Sequence, residues 1–300
     1  MAKLIYEKDA RGATLVNGKI YRIPATKDYI FKNLFGINGK EENLKGLLQA
    51  ILKIKIESLQ IENPEIPPQY KEDKKGILDV RAKLSDGTTV FIEMQVNNEH
   101  NIGERITFYL CRVYSNTIKS GGLYNKIEKT IAIVLINFSY FNRKEYHQIA
   151  HLKFEECRDK DEIVDDIEDI ESKVVTVKLE LHIIDLKKFN KINHPKGELA
   201  DWLNLIIGNE EEIEMCAKRN KVIKRVNEEN KKLSVDKDMQ EQYWYEEKTL
   251  YARNTEISVA EEEGKKQKQL EIAKKMKDRN KTMEEIIELT ELSKEEIEKL

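Results

Sequence analysis

Asp79, Glu93 and Gln95 are two acids and an amide, spaced so that one strand hairpin could bring them together. They fall in GILDVRAKLSDGTTVFIEMQV, residues 76 to 96, which reads as two β-strands around a turn. On the first arm Leu78, Val80, Ala82 and Leu84 alternate with Ile77, Asp79, Arg81 and Lys83. On the second, Val90, Ile92, Met94 and Val96 alternate with Phe91, Glu93 and Gln95. Side chains along a strand alternate between faces, so each of the three polar groups lies opposite its own strand's apolar stripe. Carboxylates on a half-buried face are costly unless a charge lies between them, and a hard divalent cation with oxygen ligands would meet that need. Such an ion lowers the pKa of a bound water and polarises a phosphoryl oxygen, while a polar neighbour orients the water. An antiparallel sheet with one wet face would show the same residues without any site, and the strands alone leave both readings open.

The turn sets a condition. A two-residue turn at Asp86-Gly87 would pair Asp79 with Met94 and send Asp79 and Glu93 to opposite faces. A three-residue loop with Gly87 in the left-handed conformation, or a β-bulge, returns them to a common face. The metal reading therefore requires an odd-length loop or a bulge.

The elements around the hairpin can be read from periodicity. TKDYIFKNLFG (26–36) is helical, with Ile30, Leu34 and Ile37 on one face and Phe31 and Phe35 beside it. Glu41 to Lys53 continues as a helix with Leu44, Leu47, Leu48 and Ile51 inward, and Ile54 to Ile61 reads as a strand. Ile102 to Ser120 is amphipathic. One stripe carries Ile102, Ile106, Leu110, Val113 and Thr117; another carries Arg105, Tyr109, Arg112 and Asn116. TIAIVLINF (130–138) is apolar throughout, as in a strand covered on both faces. Tyr146 to Phe154 and Val174 to Leu186 read as further strands, and Arg158 to Ser172 as an acidic solvated stretch. The order predicts a mixed α/β core, with a parallel crossover from the hairpin through helix 102–120 to strand 130–138.

Composition narrows the partners. The 300 residues carry a net charge of −3, so any contact with nucleic acid must come from a local patch. No apolar run reaches membrane-spanning length, and the start lacks the apolar stretch of a signal peptide. Cys111, Cys157 and Cys216 form neither a zinc spacing nor a disulfide framework, which fits a cytoplasmic location. There is no phosphate-binding glycine loop, hence no expected nucleotide cofactor. His147 and His151 form H-x-x-x-H on a predicted strand, without zincin spacing, and read as chance. Trp202 reads as core; the sequence alone gives Trp244 no role. After about Asn209 nearly half the residues are charged and strands are absent.

The combination resembles the PD-(D/E)XK nuclease superfamily. It is similar in particular to the Rpn family of recombination-promoting nucleases, also described as transposases. The segments that carry the resemblance are residues 26–36, 77–96, 104–124 and 130–138, and the tail 270–300 is similar to that family's C-terminal module. The resemblance implies a restriction-endonuclease-like core, a mixed central sheet flanked by helices, with an all-helical C-terminal extension. With the composition, the chain divides into an N-terminal arm or short hairpin (1–24), the nuclease-like core (25–207), a charged helical arm (208–269) and a small three-helix module (270–300). The resemblance implies a Mg²⁺-dependent DNA endonuclease, with Mn²⁺ as a substitute ion and double-stranded DNA as substrate.

Position by position, Asp79 matches the first motif acid and Glu93 the second, with the backbone carbonyl at Met94 or Gln95 completing the ion's shell. Gln95 stands where the superfamily usually has lysine, which removes a positive charge and leaves a group that can only orient water or donate to phosphate. Asp28 matches an acidic position that would add a metal ligand, or it caps the helix near Thr26. Lys27 and Lys32 would meet phosphate, or are plain surface lysines. Arg105, Tyr109 and Arg112 would touch the DNA backbone, or form a polar helix face with Tyr109 half-packed. The tail has the size of a helix-turn-helix unit, but its last helix, SKEEIEKL, is acidic and suits homodimerisation or docking better than DNA. Two other functions fit the sequence: a catalytically weak DNA-binding descendant, and a protein-interaction module acting through the helical C-terminal third.

Overall fold

The computed structural model describes residues 6–8, 14–16, 19–66, 76–96, 101–154, 174–192 and 195–300. The acidic stretch 158–172 and Cys157 lie outside the described residues. The N-terminal segment forms a hairpin-based sheet: β1 (Tyr6–Lys8) pairs with β2 (Thr14–Val16), and β2 with β3 (Lys19–Ile20), all antiparallel.

Two helices follow, α1 (Asp28–Phe35) and α2 (Glu41–Leu52). Their apolar residues recur at helical spacing: Ile30, Phe31, Leu34 and Phe35 are buried from α1, and Leu44, Leu47, Leu48 and Ile51 from α2. Ile37, expected inward, is exposed because α1 ends at Phe35. The central sheet has six strands: β4 (Leu59–Glu62), β7 (Val80–Leu84), β8 (Thr89–Gln95), β9 (Thr130–Ile136), β10 (His147–Ala150) and β11 (Leu179–Asp185). Its order is β10-β11-β9-β8-β7-β4. The short β5 (Glu65–Ile66) and β6 (Gly76–Ile77) pair separately. Strands 54–61 and 174–186 are shorter than their apolar patterns suggest. β4 begins only where antiparallel pairing with β7 starts, and β11 only where it pairs with β9.

Helix α3 (Ile102–Ser115) links β8 to β9, and these two strands pair in parallel, as the crossover requires. Every residue of β8 and of β9 is buried, because the sheet is covered on both sides. On one side α3 packs Ile102, Ile106, Tyr109, Leu110 and Val113 against Phe91, Ala132, Val134 and Ile136.

After β11 the chain is helical: α4 (Leu186–Phe189), α5 (Glu198–Ile207), α6 (Glu210–Arg219), α7 (Lys221–Val235), α8 (Lys237–Asp278), α9 (Met283–Thr290) and α10 (Lys294–Glu298). Trp202 of α5 is core, and α2 accepts it because Gly46 has no Cβ; a Cβ there would lie 2.5 Å from the indole ring. The charged arm expected from residue 208 begins later. Residues 1–236 form one compact unit and 237–300 another. Helices α6 and α7 belong to the first unit because their sparse apolar residues, Ile213, Cys216, Ile223 and Val226, all fall on one buried face. Polar bonds add to this. The buried Arg22 guanidinium donates to Asn227 Oδ1 (2.8 Å) and Leu205 O (3.2 Å), and Arg225 donates to Asn43 Oδ1 (2.7 Å).

The second unit is the long α8 with α9 and α10 folded against its C-terminal end around Ala273, Ile286, Leu292 and Ile297. The expected separate helix 270–277 is the continuation of α8, since no proline interrupts 237–278 and Gly264 is accommodated within the helix. Thr282 and Ser293 each begin a helix with a full capping box. No described helix is long and apolar enough to cross a membrane.

Candidate active site at the hairpin

The turn between β7 and β8 has three residues, Ser85-Asp86-Gly87. Leu84 N donates to Thr88 O (2.8 Å), Gly87 N donates to Leu84 O (3.0 Å), and Gly87 has φ +88°. Asp86 caps the loop by accepting from Thr88 N at 2.9 Å. Pairing then runs Lys83–Thr89, Ala82–Val90, Arg81–Phe91 and Val80–Ile92. The next step sets Asp79 opposite Glu93, and two bonds lock them. Asp79 N donates to Glu93 Oε1 (3.2 Å), while Met94 N donates to Asp79 Oδ2 (2.7 Å). The odd-length loop that a shared face requires is therefore present.

Burial separates the two readings of this face. Arg81 and Lys83 are only half-buried and pair with Glu62 and Glu128, as a wet face would have them. Glu93 is 1% exposed and Gln95 8% exposed, so neither belongs to a solvated face. Burial, then the nearby Asp79 charge, push the Glu93 carboxyl up to about 8. Arg105 lies at 3.6 Å from Glu93 Oε2 and offsets only part of this.

Helix α1 delivers a lysine to the acids. Lys32 Nζ lies 3.1 Å from Asp79 Oδ1 and 3.5 Å from Asp28 Oδ2. Burial alone would lower its pKa, but Asp79 and Asp28 outweigh burial and hold it raised, so it stays an ammonium. The close approach of α1 depends on Gly36. A Cβ there would meet Val80 Cγ2 at 3.0 Å and Asp79 O at 3.3 Å.

Asp28 is the first residue of α1, and Tyr29 N donates to its Oδ1 at 2.7 Å. It joins the pair only through Lys32. Among the described residues no three His, Cys, Asp or Glu side chains cluster tightly enough to hold a metal by themselves. Lys27 is the residue before α1. Gln95 follows Glu93 on the same face, and its backbone carbonyl accepts from Asn137 N (2.9 Å).

Tyr109 is 6% exposed, so it is packed rather than half-packed. It closes against Gly76, where a Cβ would meet the ring at 2.9 Å, and Arg105 Cζ lies 5.6 Å from its ring centroid. Tyr109 thus packs beneath Arg105 with little of its surface exposed. Arg112 lies one turn past Phe108, its Cζ 5.6 Å from that ring, further along α3. Lys32's reach to Asp79 was hidden in the sequence, since the two residues are 47 positions apart; its only signal was a lysine one turn after an acid in a helix ending at glycine.

A mixed sheet with helices on both sides and paired acids where a β-hairpin meets a helix defines a restriction-endonuclease-like α/β protein. The chain belongs to the PD-(D/E)XK nuclease family transposases, whose family model matches residues 25–262. Nucleases of this superfamily generally use divalent metal ions and act on DNA. No curated protein and no solved structure matches the chain significantly.

Proposed function

We propose that this protein is a Mg²⁺-dependent DNA endonuclease whose site is built on Asp79 and Glu93. One observation carries this reading: two acids are held face to face, Glu93 by the backbone amide of Asp79 and Asp79 by the backbone amide of Met94, and Glu93 is fully buried with its charge only partly offset. A buried carboxyl raised in this way is a poor structural element and a good ligand, because a divalent cation supplies the charge that burial demands. Asp79 and Glu93 would hold the ion; when bound it supplies Lewis acidity and an activated water. Mn²⁺ would substitute. Asp28 would add to the shell only when Lys32 releases it.

The remaining residues position and balance charge. Lys32 provides a cation beside Asp79, offsetting the charge that Gln95 does not carry. As an ammonium it donates to a phosphate oxygen or to the attacking water and does not accept a proton. Gln95 orients water through its amide. Arg105, held over Tyr109, faces the scissile phosphate; Arg112 and Lys27 would take backbone phosphates on either side. The test is nicking of supercoiled plasmid with and without Mg²⁺, beside Asp79→Ala. Cleavage lost without the ion and in the variant is the expected result, and cleavage unchanged in Asp79→Ala rejects the site.

A second reading rests on the same geometry. With Gln95 in the lysine position and, among the described residues, no third acid close enough to share an ion, the chain would be a DNA-binding descendant that does not cut. It predicts salt-dependent DNA binding that survives Asp79→Ala, with no nicking in Mg²⁺ or Mn²⁺. Pairing of two chains would use the C-terminal unit, where α8 exposes Tyr245, Tyr251, Ile257 and Val259.

A further inference from the structure

At the β10 edge of the sheet, away from the acid pair, four side chains form a chain of bonds. Lys129 Nζ lies 2.7 Å from Glu180 Oε2, and Glu180 Oε1 lies 2.6 Å from His182 Nε2. His182 Nδ1 then lies 2.9 Å from His147 Nε2. The register explains the contact: His147 pairs with Ile184 and His182 with Ile149, so the two imidazoles are diagonal neighbours on one face. With one proton on each imidazole, the bonds set the tautomers. Glu180 is ionised, its carboxyl held down to about 2 by the His182 bond against the effect of burial. It accepts from His182 Nε2–H, which leaves His182 Nδ1 to accept from His147 Nε2–H. His147 Nδ1 is then a lone pair, and among the described residues it has no hydrogen-bond partner.

His147 lines a cavity of about 910 Å³ between the end of α2 and the start of α5. Lys53, Lys55 and Lys196 also line it, with Glu145 and Glu198. None of these three lysines has a carboxylate partner among the described residues. Burial, then the neighbouring His182 and Lys53, lower the His147 pKa to about 4, so it stays neutral at physiological pH.

We propose that this cavity is a second binding site, for inorganic phosphate, with the lysines facing the charged oxygens and His147 Nδ1 accepting the P–OH proton. Three lysines against two glutamates leave one net positive charge, which suits a single phosphoryl group rather than a run of backbone phosphates. Amides of the first turn of α5 add donors on the same side. The site is independent of the acid pair, so its failure would leave the nuclease reading untouched.

The neutral imidazole gives the site a signature. Phosphate at pH 7 still carries a proton to donate, and sulfate does not. Titration calorimetry on the full chain should show saturable phosphate binding with sulfate weaker by about tenfold, the cost of facing an acceptor with no donor. His147→Phe should erase that preference. Lys53→Gln with Lys196→Gln, at exposed positions where folding is not at stake, should weaken both anions by about tenfold and keep their ratio. Adenosine 5′-monophosphate, whose phosphate at pH 7 is mostly a dianion with no P–OH, should displace bound phosphate no better than sulfate does, and stronger displacement would overturn the proposed role of His147. No saturable phosphate binding up to about 10 mM overturns the proposal, because weaker binding is no site. So does a preference that persists in His147→Phe, or a double lysine variant that binds like the parent chain.

Discussion

Glu93 and Glu180 are the same residue type on the same sheet, and their surroundings drive them in opposite directions. Glu180 has a histidine on one oxygen and a lysine on the other, and its carboxyl is held down to about 2. Glu93 has one backbone amide, a distant arginine and an acid for a neighbour, and is pushed up to about 8. The Glu180 group is complete as it stands. The Glu93 group is buried and short of positive charge, and that deficit is what makes it a candidate site.

The sharpest way to break this contrast is activity. Glu93→Gln keeps the shape and removes the charge, and should cut Mg²⁺-dependent nicking by at least about a thousandfold, the scale for losing stabilisation of developing charge. The same change at Glu180 should leave nicking near the parent rate. Lys32→Met should cost roughly a hundredfold in nicking rate, since the cation nearest Asp79 is lost while α1 keeps its packing.

Stability against pH sharpens the contrast further. Folded Glu93 keeps its proton to about pH 8, whereas an unfolded glutamate loses it near 4.5. Between these values the native state binds more protons, so without metal its stability falls as pH rises through that window, by a few kcal/mol at most. Thermal melts from pH 5 to 8 should show the decline. Glu93→Gln should flatten it, and Mg²⁺ should oppose it at the upper end. Glu180 has the opposite sign: its contribution is present above pH 4.5 and lost only as pH falls toward 2. The smallest effect is therefore Glu180→Gln at pH 8, a loss of about 1–3 kcal/mol, because the single amide oxygen can accept from His182 or from Lys129 but not from both. At that pH, without metal, the matching change at Glu93 should stabilise.

What the sequence made legible follows from what is local. Alternation located the hairpin and the covered strand 130–138, and the Asp-Gly turn showed that loop length would decide whether Asp79 and Glu93 meet. The His147–His182 pair was invisible because its partners are 35 residues apart and meet only through antiparallel register; a search for local histidine spacing paired His147 with His151 instead. Charge also misled. Residues 210–235 look like a solvated arm because few of them are apolar, yet those few fall on one face, and Arg22 and Asn43 tie the helices down with polar bonds that no hydropathy pattern reports. Tyr109 looked like part of an Arg/Tyr surface stripe because spacing gives a helix face its members but not its depth.

The three-residue loop at Ser85-Asp86-Gly87 behaves like a reading frame. Removing or adding one residue there can leave every apolar contact of β7 and β8 available, yet it moves one acid to the far side of the sheet. Adding two restores the pair. Relatives that differ in this loop by an even number can keep the site, while those that differ by one must rebuild it with a bulge or lose it. A single-residue deletion at Asp86 would give a folded protein with its chemistry dismantled, and the change would leave Asp79, Glu93 and Gln95 all present in the sequence.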